Sequence, residues 1–504
     1  MKNLINNFHR EDLISGFLVF LIAMPLSLGI AVASGFPAIY GLITAMVGGI
    51  LVSFFVGSAL TIKGPAAGLI VIIASAVHDF GNGDAVVGWK LTLGTIFTAA
   101  VFQVVFARLK FGKFVDFFPI SAVKGMLTAI GIIILSKQIF VLIGVKPINK
   151  NGELLSKPID LLMLFPQKIT QIEHPIFFLI GILSLSILII WQISNSNTLK
   201  KVPGALVVLI LSCIIGLNFG KNTLQMSEYD RFFLVVNQKV SDLFHFPMSF
   251  EGIYQPKFFV KYTFIFLLVG SLETLLSVKA IDTLVNKGKS DFNKDLQAVG
   301  IGNMISSALG GLPMIAEVAR STANVNNGAK TQWANFYHGL FILIFLVLIG
   351  FLNESIPLSA LAAMLIVVGW NLARPGVFIQ KWKKGKDQFA IFFSTIIVSL
   401  LTDILMGICV GILVNISFHF LRGLKLRNVF QLNYQLEGDK VVVKDFLVFT
   451  NYLKLDELVT NQNVKLLDLS QCTFVDHSSK QNLLLKIKAK ENSELPQLEI
   501  FGLN

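Results

Sequence analysis

One glutamate in the middle of a long apolar segment is the residue whose placement points most directly to chemistry. Glu273 lies within Tyr262–Ala280. A carboxylate at membrane depth costs several kcal/mol and by default marks a functional site. Ser277 follows four residues later and shares the same helix face. The alternative is a carboxyl group that stays protonated and only forms hydrogen bonds.

Two further charges, Lys63 and Glu317, adjoin Gly/Pro-rich breaks in apolar sequence. Lys63 opens the break before Pro65–Val77, and Gly310–Pro313 forms the break before Met314–Val325. If the breaks meet in the fold, these two charges face each other. We therefore predict an ion pair between Lys63 and Glu317, each compensating the other in low dielectric. Alternatively, Lys63 extends its ammonium group to water and Glu317 faces an aqueous vestibule.

The two breaks also predict an anion site made of backbone. A helix that begins at a break exposes N–H groups without partners and carries a partial positive charge, and both favour an anion. Irregular backbone persists at membrane depth only where it is buried or lines an aqueous cavity. The candidate anion-binding positions are Gly64, Pro65, Ala66, Ala67, Pro313, Met314, Ile315 and Ala316.

Membrane helices must position these residues. The 504-residue chain is 54% hydrophobic and only 14% charged, whereas soluble domains carry roughly a quarter charged residues. Window reasoning gives about fourteen apolar segments: 12–33, 39–56, 64–77, 90–107, 119–143, 174–193, 203–219, 260–281, 295–310, 314–325, 332–352, 357–370, 387–402 and 403–421. The interrupted segments are the third and the tenth, which correspond if the chain divides into two halves of seven. Such a pair predicts an all-α transporter built from inverted repeats.

Charge placement and missing motifs exclude other classes. The net charge of +12 comes from basic residues at the ends of segments, for example Lys381–Lys386. This pattern predicts an inner-membrane protein with both termini in the cytoplasm, and no nucleic-acid partner. The sequence has no nucleophile–base pair, metal-ligand spacing or phosphate loop, so we predict no enzyme activity, no cofactor and no structural metal. His78, His338 and His477 are isolated and receive no ligand role.

The chain changes character after Leu421. Short alternating runs, a helical stretch and a final strand predict a small cytoplasmic α/β domain at 430–504. The predicted elements are strands at Val441–Val443, Phe446–Phe449, Val464–Leu469 and Gln497–Phe501, and a helix at Lys480–Lys490. The predicted organisation is thus a cytoplasmic N-terminus at 1–11, a transmembrane domain at 12–425 and this tail.

Three stretches resemble the sulfate permease (SulP) family of anion transporters. The first is DLISGFLVFLIAMPLSLGIAVASGFPAIYGLITAMVGGILVSFFVGSALTIKGPAAGLIVII, from Asp12 to Ile73. The second contains GGLPMIAEVARSTANVNNGAKTQWANFYHGL and IPLSALAAMLIVV, within Leu296–Val368. In the tail, LLDLSQCTFVDHSS is similar to a loop of anti-sigma-factor antagonist domains. Ser478 stands where those antagonists carry a phosphorylatable serine, but the tail is short and we expect it to serve dimerisation or folding.

The resemblance implies a fold and roles for several residues. It implies two inverted seven-segment repeats, a moving core domain, a gate domain and an anion held between the facing ends of the two short helices. Arg320 matches an arginine that the family often keeps near its anion; alternatively, it packs or balances the charge of a nearby glutamate. Glu273 and Ser277 match the acidic residue and hydroxyl that form the cation site of sodium-coupled bicarbonate transporters in the family. A homodimer is a further expectation from the family.

The sequence departs from the family pattern at two positions. Lys63 replaces a residue that is usually small and polar, and Glu317 replaces one that is usually small. A glutamate at position 273 instead of aspartate leaves a proton as plausible as sodium for the coupling ion.

The function expected from these features is secondary active transport of a small inorganic anion by alternating access, with bicarbonate favoured and sulfate close behind. Sodium or protons are the expected coupling ions. The alternatives are a sulfate/proton symporter, a nucleobase permease of the same fold, which would use acidic residues in the eighth and tenth segments, and a membrane anion sensor.

Overall fold

The computed structural model describes most of the chain. The described residues are 9–112, 118–149, 155, 157–172, 174–194, 202–220, 232–234, 246–285, 290–348, 356–425, 428–429, 431–461, 464–491 and 499–502. Of the predicted N-terminal segment 1–11, residues 1–8 lie outside these ranges. The start of the predicted final strand, Gln497 and Leu498, lies outside them as well.

Helices dominate the described chain before residue 425. They are α1 (Arg10–Ala33), α2 (Ile39–Ile50), α3 (Ile70–Gly81), α4 (Ala85–Arg108), α5 (Ile120–Ile143), α6 (Pro158–Lys168), α7 (Pro175–Ile193), α8 (Gly204–Ile215), α9 (Pro256–Val285), α10 (Phe292–Ala308), α11 (Val318–Asn326), α12 (Trp333–Leu348), α13 (Leu358–Leu372), α14 (Pro375–Lys383), α15 (Lys386–Leu401) and α16 (Ile404–Leu421). Each of the fourteen predicted segments overlaps one of these helices. The predicted division into two inverted halves of seven stays a prediction.

Length and composition indicate which helices are able to cross a membrane. Within the described chain, seven helical stretches have at least 18 residues and sufficient hydropathy: Arg10–Ala33, Ala85–Arg108, Ile120–Leu142, Pro175–Ile193, Pro256–Asp282, Leu358–Lys383 and Ile404–Leu421. Four shorter apolar stretches accompany them: Ile39–Phe54, Ala67–Gly81, Gly204–Phe219 and Trp333–Leu348. A span needs about 20 apolar residues, so the short helices that follow the breaks are half-helices.

Both predicted breaks are short extended segments. Strand β1 (Lys63–Pro65) begins at the first break, and strand β2 (Met314–Ala316) directly follows the second, Gly310–Pro313. The strands pair antiparallel, with Lys63 opposite Ala316, Gly64 opposite Ile315 and Pro65 opposite Met314. The pairing satisfies backbone groups that would otherwise be exposed at membrane depth.

Small residues allow the helices around these strands to pack closely. A Cβ atom added to Gly49 of α2 would collide with the backbone of Gly339 in α12. A Cβ atom on Gly48 would lie 2.9 Å from the carbonyl oxygen of Lys63. Glycine is needed at such positions because any side chain would force the helices apart.

The described chain groups into two compact units. The first comprises Met1–Leu109, Ile130–Val278 and Asp291–Arg374, and it contains both strands of the break. The second comprises Lys110–Ala129, Lys279–Ser290 and Pro375–Asn504. The predicted domain limits, 12–425 and 430–504, stay predictions.

The tail folds as a five-stranded sheet with two helices. Its strands are β3 (Asn433–Glu437), β4 (Lys440–Leu447), β5 (Leu466–Asp468), β6 (Cys472–Val475) and β7 (Glu499–Phe501), and its helices are α17 (Phe449–Asn461) and α18 (His477–Glu491). The sheet runs β3-β4-β5-β7, and β6 pairs with β4. The small α/β fold was predicted, but α17 was not.

Candidate functional site

The paired strands bring all the predicted backbone positions of both breaks together. Besides the ladder itself, the amide of Ala66 donates to the carbonyl of Pro313 over 3.2 Å, and the amide of Glu317 donates to the carbonyl of Ile62 over 3.0 Å. Every residue of both strands is buried. We call the paired strands Lys63–Pro65 and Met314–Ala316, with the residues that join them to the half-helices, the crossing. The sequence located the crossing, while the anion-binding role of these eight positions stays a prediction.

Side-chain amides and a hydroxyl fix the edges of the crossing. Asn303 binds both backbone groups of Met314: its Oδ1 accepts from the amide over 2.6 Å, and its Nδ2 donates to the carbonyl over 3.2 Å. Asn335 Oδ1 accepts from the amide of Lys63 over 3.1 Å, and Ser321 Oγ accepts from the amide of Ile62 over 2.9 Å. Sequence reasoning missed these three residues, because polar residues in short motifs carry no signal of the distant strand they will cap.

Lys63 has a different partner from the predicted one. Its ammonium donates to both carboxylate oxygens of Asp295, each over 2.9 Å, and to the hydroxyl of Thr61. Both charged side chains are 0% exposed. Asp295 Oδ1 also accepts from the amides of Gly57 and Ser58, over 3.2 and 3.0 Å. The predicted ion pair between Lys63 and Glu317 is therefore wrong.

Strand register explains the error. Successive side chains of a strand point to opposite faces, and directly paired residues share a face. Lys63 is paired with Ala316, so Glu317, the next residue, belongs to the opposite face. The backbones of the two residues are neighbours across the strand pair, but their side chains point to opposite faces.

Glu317 instead caps the second half-helix. Its Oε2 accepts from the backbone amide of Arg320 over 3.2 Å and lies 3.4 Å from Nε of the same arginine. Carboxylates are favoured at helix N-termini by the exposed amides and the helix dipole. The start of α11, which the sequence suggested as an anion site, thus already holds a carboxylate of its own chain.

Arg320 is the second buried positive charge at the paired strands, after Lys63. Its side chain is 0% exposed, and a Cβ atom added to Gly64 would collide with its Nη1. The approach of Glu317 does not meet hydrogen-bond geometry at Nε, and none of the three guanidinium nitrogens has a hydrogen-bond partner among the described residues. Buried donors are nearly always paired, so these donors fit a negatively charged ligand.

Glu273 belongs to α9, and its carboxylate lies against Gly68, just before the first half-helix begins. A Cβ atom added to Gly68 would collide with its carboxylate. The side chain is buried, and neither carboxylate oxygen has a hydrogen-bond partner in the described part of the chain. Thr274 and Ser277 are also buried. An unpaired buried carboxylate fits a cation or a proton, and the role of Glu273 and Ser277 as a coupling-ion site stays a prediction.

A small cavity adjoins the crossing. It measures about 10 Å³, which is room for about one water molecule. Its polar lining consists of Gln103, whose Oε1 accepts from Asn303 Nδ2 over 3.1 Å, and of Asn303 itself. The remaining lining residues are Leu69, Ile96, Ala99, Ala100, Phe266, Gly270, Pro313 and Met314.

His338 of α12 is a further buried group near this site. It is 0% exposed, and neither ring nitrogen has a hydrogen-bond partner within the described ranges. It interacts electrostatically with Arg320. His338 was expected to have no ligand role, because a single histidine in an apolar helix is most often part of the core.

Comparisons with known proteins agree with this architecture. The Sulfate permease family profile matches residues 9–395. The chain is 28% identical over 419 residues to YvdB of Bacillus subtilis (strain 168), a protein named as a sulfate transporter, covering 82% of this chain and 74% of YvdB. It is 24% identical over 420 residues to the bicarbonate transporter BicA of Picosynechococcus sp. (strain ATCC 27264 / PCC 7002 / PR-6), covering 80% and 69%.

The fold is similar to that of the anion transporter SLC26A9. The overall structure of SLC26A9 matches with a TM-score of 0.71 and 16% sequence identity, covering 99% of this chain and 84% of that one. The relatives are transporters, and the chain is a multi-pass membrane transporter and not an enzyme. This protein belongs to the sulfate permease family of anion transporters.

Proposed function

We propose that the chain carries out secondary active transport of a small inorganic anion, with bicarbonate as its substrate. The observation that carries the proposal is the buried guanidinium of Arg320, which lies against Gly64 of β1 with unfilled hydrogen-bond donors. A planar guanidinium binds a planar carboxylate-like anion through two parallel hydrogen bonds. Gly64 lets the guanidinium lie against the backbone of β1, because it has no side chain there.

The charges around the crossing favour a monovalent anion that enters with a cation. Arg320 and Glu317 cancel, and Lys63 cancels Asp295, so Glu273 leaves the empty site at −1 when it is ionised. A sodium ion or proton at Glu273 brings the sum to 0, and bicarbonate then brings it to −1, whereas sulfate would bring it to −2. Uncompensated buried charge is costly, so the coupling cation and a single negative charge go together.

The proposal includes a place in the cell and an assembly. The chain lies in the inner membrane with both termini in the cytoplasm, as the basic residues Arg422 and Lys425 after the last apolar helix suggest. It functions as a homodimer and works by alternating access, with the tail 430–504 in the cytoplasm.

Proteoliposomes with and without a sodium gradient test the proposal. We expect sodium-dependent uptake of labelled bicarbonate that exceeds uptake of labelled sulfate. Glu273→Gln should abolish the sodium dependence, and Arg320→Gln should abolish uptake of either anion. The exposed residues Glu251 and Arg374 provide matched controls, since Glu251→Gln and Arg374→Gln remove the same charges away from the site.

The outcomes separate the alternatives. Sulfate uptake driven by a proton gradient and independent of sodium would assign the chain to sulfate/proton symport, with Glu273 as the proton carrier. Uptake of neither anion under any gradient would contradict the proposal, and uracil uptake would then be measured with the same vesicles.

A further inference from the structure

Three lysines of the second compact unit converge at one place. They are Lys124 of α5, Lys381 of α14 and Lys384, the residue that follows α14. We call these three residues the lysine cluster. Lys381 is only 5% exposed, while Lys124 and Lys384 reach solvent. Each of the three repels at least one of the others electrostatically, so the cluster concentrates positive charge around a buried ammonium group.

No carboxylate neutralises the lysine cluster among the described residues. Lys381 Nζ donates to Ser121 Oγ over 2.9 Å, and that hydroxyl donates to Gln388 Oε1 over 2.7 Å. Both partners are neutral. Asp387, which precedes Gln388, is engaged by Arg422, whose Nη2 lies 3.0 Å from its Oδ2. A cation buried without a counter-charge is unfavourable, so an anion bound beside Lys381 would stabilise its charged form.

A histidine of the tail completes one side of the cluster. Lys384 Nζ lies 3.1 Å from Nε2 of His477 at the start of α18. Burial, and then the positive charges of Lys384 and Lys381, lower the pKa of His477 to about 4. The imidazole is therefore neutral at pH 7 and accepts from Lys384. The imidazole gives Lys384 a polar partner but supplies no negative charge.

Exposed apolar side chains flank the same short helix. Ile379 and Trp382 of α14 are 56% and 60% exposed. The Trp382 ring meets the Phe389 ring edge-on with centroids 5.0 Å apart, and Phe389 stacks on Phe393 at 5.6 Å. Tryptophan beside lysine is typical of the boundary between headgroups and acyl chains. This apolar surface indicates that an anion bound at the lysine cluster is the headgroup of a lipid.

We propose that the lysine cluster binds the phosphate group of an anionic phospholipid. The headgroup phosphate would contact Lys124, Lys381 and Lys384, and the acyl chains would lie along Ile379 and the aromatic rings of α14 and α15. The same place joins the tail to the helices of its unit, because Ser478 Oγ accepts from the amide of Ile120 over 3.2 Å at the start of α5. Bound lipid would therefore stabilise the contact between α18 and the start of α5.

Thermal unfolding of the purified full chain in detergent tests the site. We expect added phosphatidylglycerol to raise the unfolding temperature in a saturable way, while phosphatidylcholine and inorganic phosphate do not. Removing one lysine should raise the half-saturating concentration of phosphatidylglycerol roughly fivefold. The variants are Lys381→Met and the exposed pair Lys124→Gln with Lys384→Gln. Lys383→Gln, in the same helix but outside the cluster, is the matched control.

The outcomes are distinct. If Lys381→Met does not fold, the exposed pair carries the test, since neither of its side chains is buried. An unchanged half-saturating concentration in that pair, or an equal loss in Lys383→Gln, would overturn the site. Equal stabilisation by phosphatidylcholine would overturn the phosphate contact. Equal stabilisation by inorganic phosphate would overturn the lipid assignment and leave a site for soluble phosphate.

Discussion

At the scale of single residues, the sequence identified which charges are buried better than it identified their partners. Glu273 is buried as its apolar surroundings suggested, and Arg320 is also buried. Lys63 is buried as well, but its partner Asp295 lies 232 positions away, in the first turn of a helix where an acidic residue usually faces solvent. Partner choice depended on strand register, which no local pattern in the sequence contains.

The Lys63–Asp295 pair gives a prediction about stability. Removing one member leaves the other charge buried and unpaired, which costs about 3–5 kcal/mol. We expect Lys63→Met to lower the unfolding temperature of the purified chain strongly. Lys63→Met with Asp295→Leu should recover part of the loss, since Asp295→Leu also leaves the amides of Gly57 and Ser58 without their acceptor. Lys63→Met combined with Glu317→Gln should recover nothing. If Glu317→Gln recovered the stability lost in Lys63→Met and Asp295→Leu did not, the ion pair between Lys63 and Glu317 that the sequence predicted would be supported instead.

At the scale of elements, the two Gly/Pro breaks were the most informative feature of the sequence. Glycine and proline indicated where both half-helices lie, but the helices begin at Ile70 and Val318 and not at the predicted Pro65 and Met314, because each segment opens with extended backbone. The strand pairing between the breaks was not predictable, because three-residue strands have no periodicity to detect. In the tail, the strand predicted at Phe446–Phe449 overlaps the first residue of a helix, Phe449–Asn461, that was not predicted.

The glycines of the first break give a prediction about transport. An alanine Cβ at position 64 would displace the guanidinium of Arg320, and one at position 68 would displace the carboxylate of Glu273. Both obstructing groups are ends of flexible side chains, so we expect Gly64→Ala and Gly68→Ala to fold normally. Misplacement of a site group by about 1 Å costs up to roughly 100-fold in rate, and anion uptake into proteoliposomes should fall accordingly.

The control for these variants is Gly376→Ala, because a Cβ atom there meets nothing within 4 Å. Its uptake and unfolding temperature should equal those of the unchanged chain. If Gly64→Ala and Gly68→Ala transport as well as this control, the two charges at the crossing take no part in transport.

At the scale of the whole molecule, the change in composition near Leu421 correctly predicted a separate kind of fold in the tail. The boundaries of the compact units do not coincide with this change in composition, because the second unit contains residues 110–129 and 279–290 together with the tail. Its long-range contacts include the bond from Ser121 to Gln388 and the bond from Lys279 to Asn482. Hydrophobicity indicates where the chain leaves apolar sequence, whereas packing between distant segments decides which parts form a unit.

A buried carboxyl group makes the stability of this second unit depend on pH. Asp476 is 2% exposed, and burial raises the pKa of its carboxyl group to about 6 from 3.8, although it accepts from the amides of Ser479 and Phe449. Below pH 4 both the folded and the unfolded state hold the proton, so the free energy of unfolding is unaffected. Between pH 4 and pH 6 the unfolded state releases it first, and stability therefore falls as the pH rises.

The shift corresponds to a loss of about 3 kcal/mol between pH 4 and pH 6, with no further change above that range. Burial lowers the pKa of His477 to about 4, which gives the opposite trend over the same pH range. The fall due to Asp476 is therefore the difference between the unchanged chain and Asp476→Asn in chemical unfolding at pH 4, 5, 6 and 7. Asp476→Asn cannot ionise and should lose the fall, while the exposed Asp439→Asn should retain it. If Asp476→Asn and the unchanged chain show the same pH dependence, Asp476 is already ionised in the folded state, held by the two backbone amides.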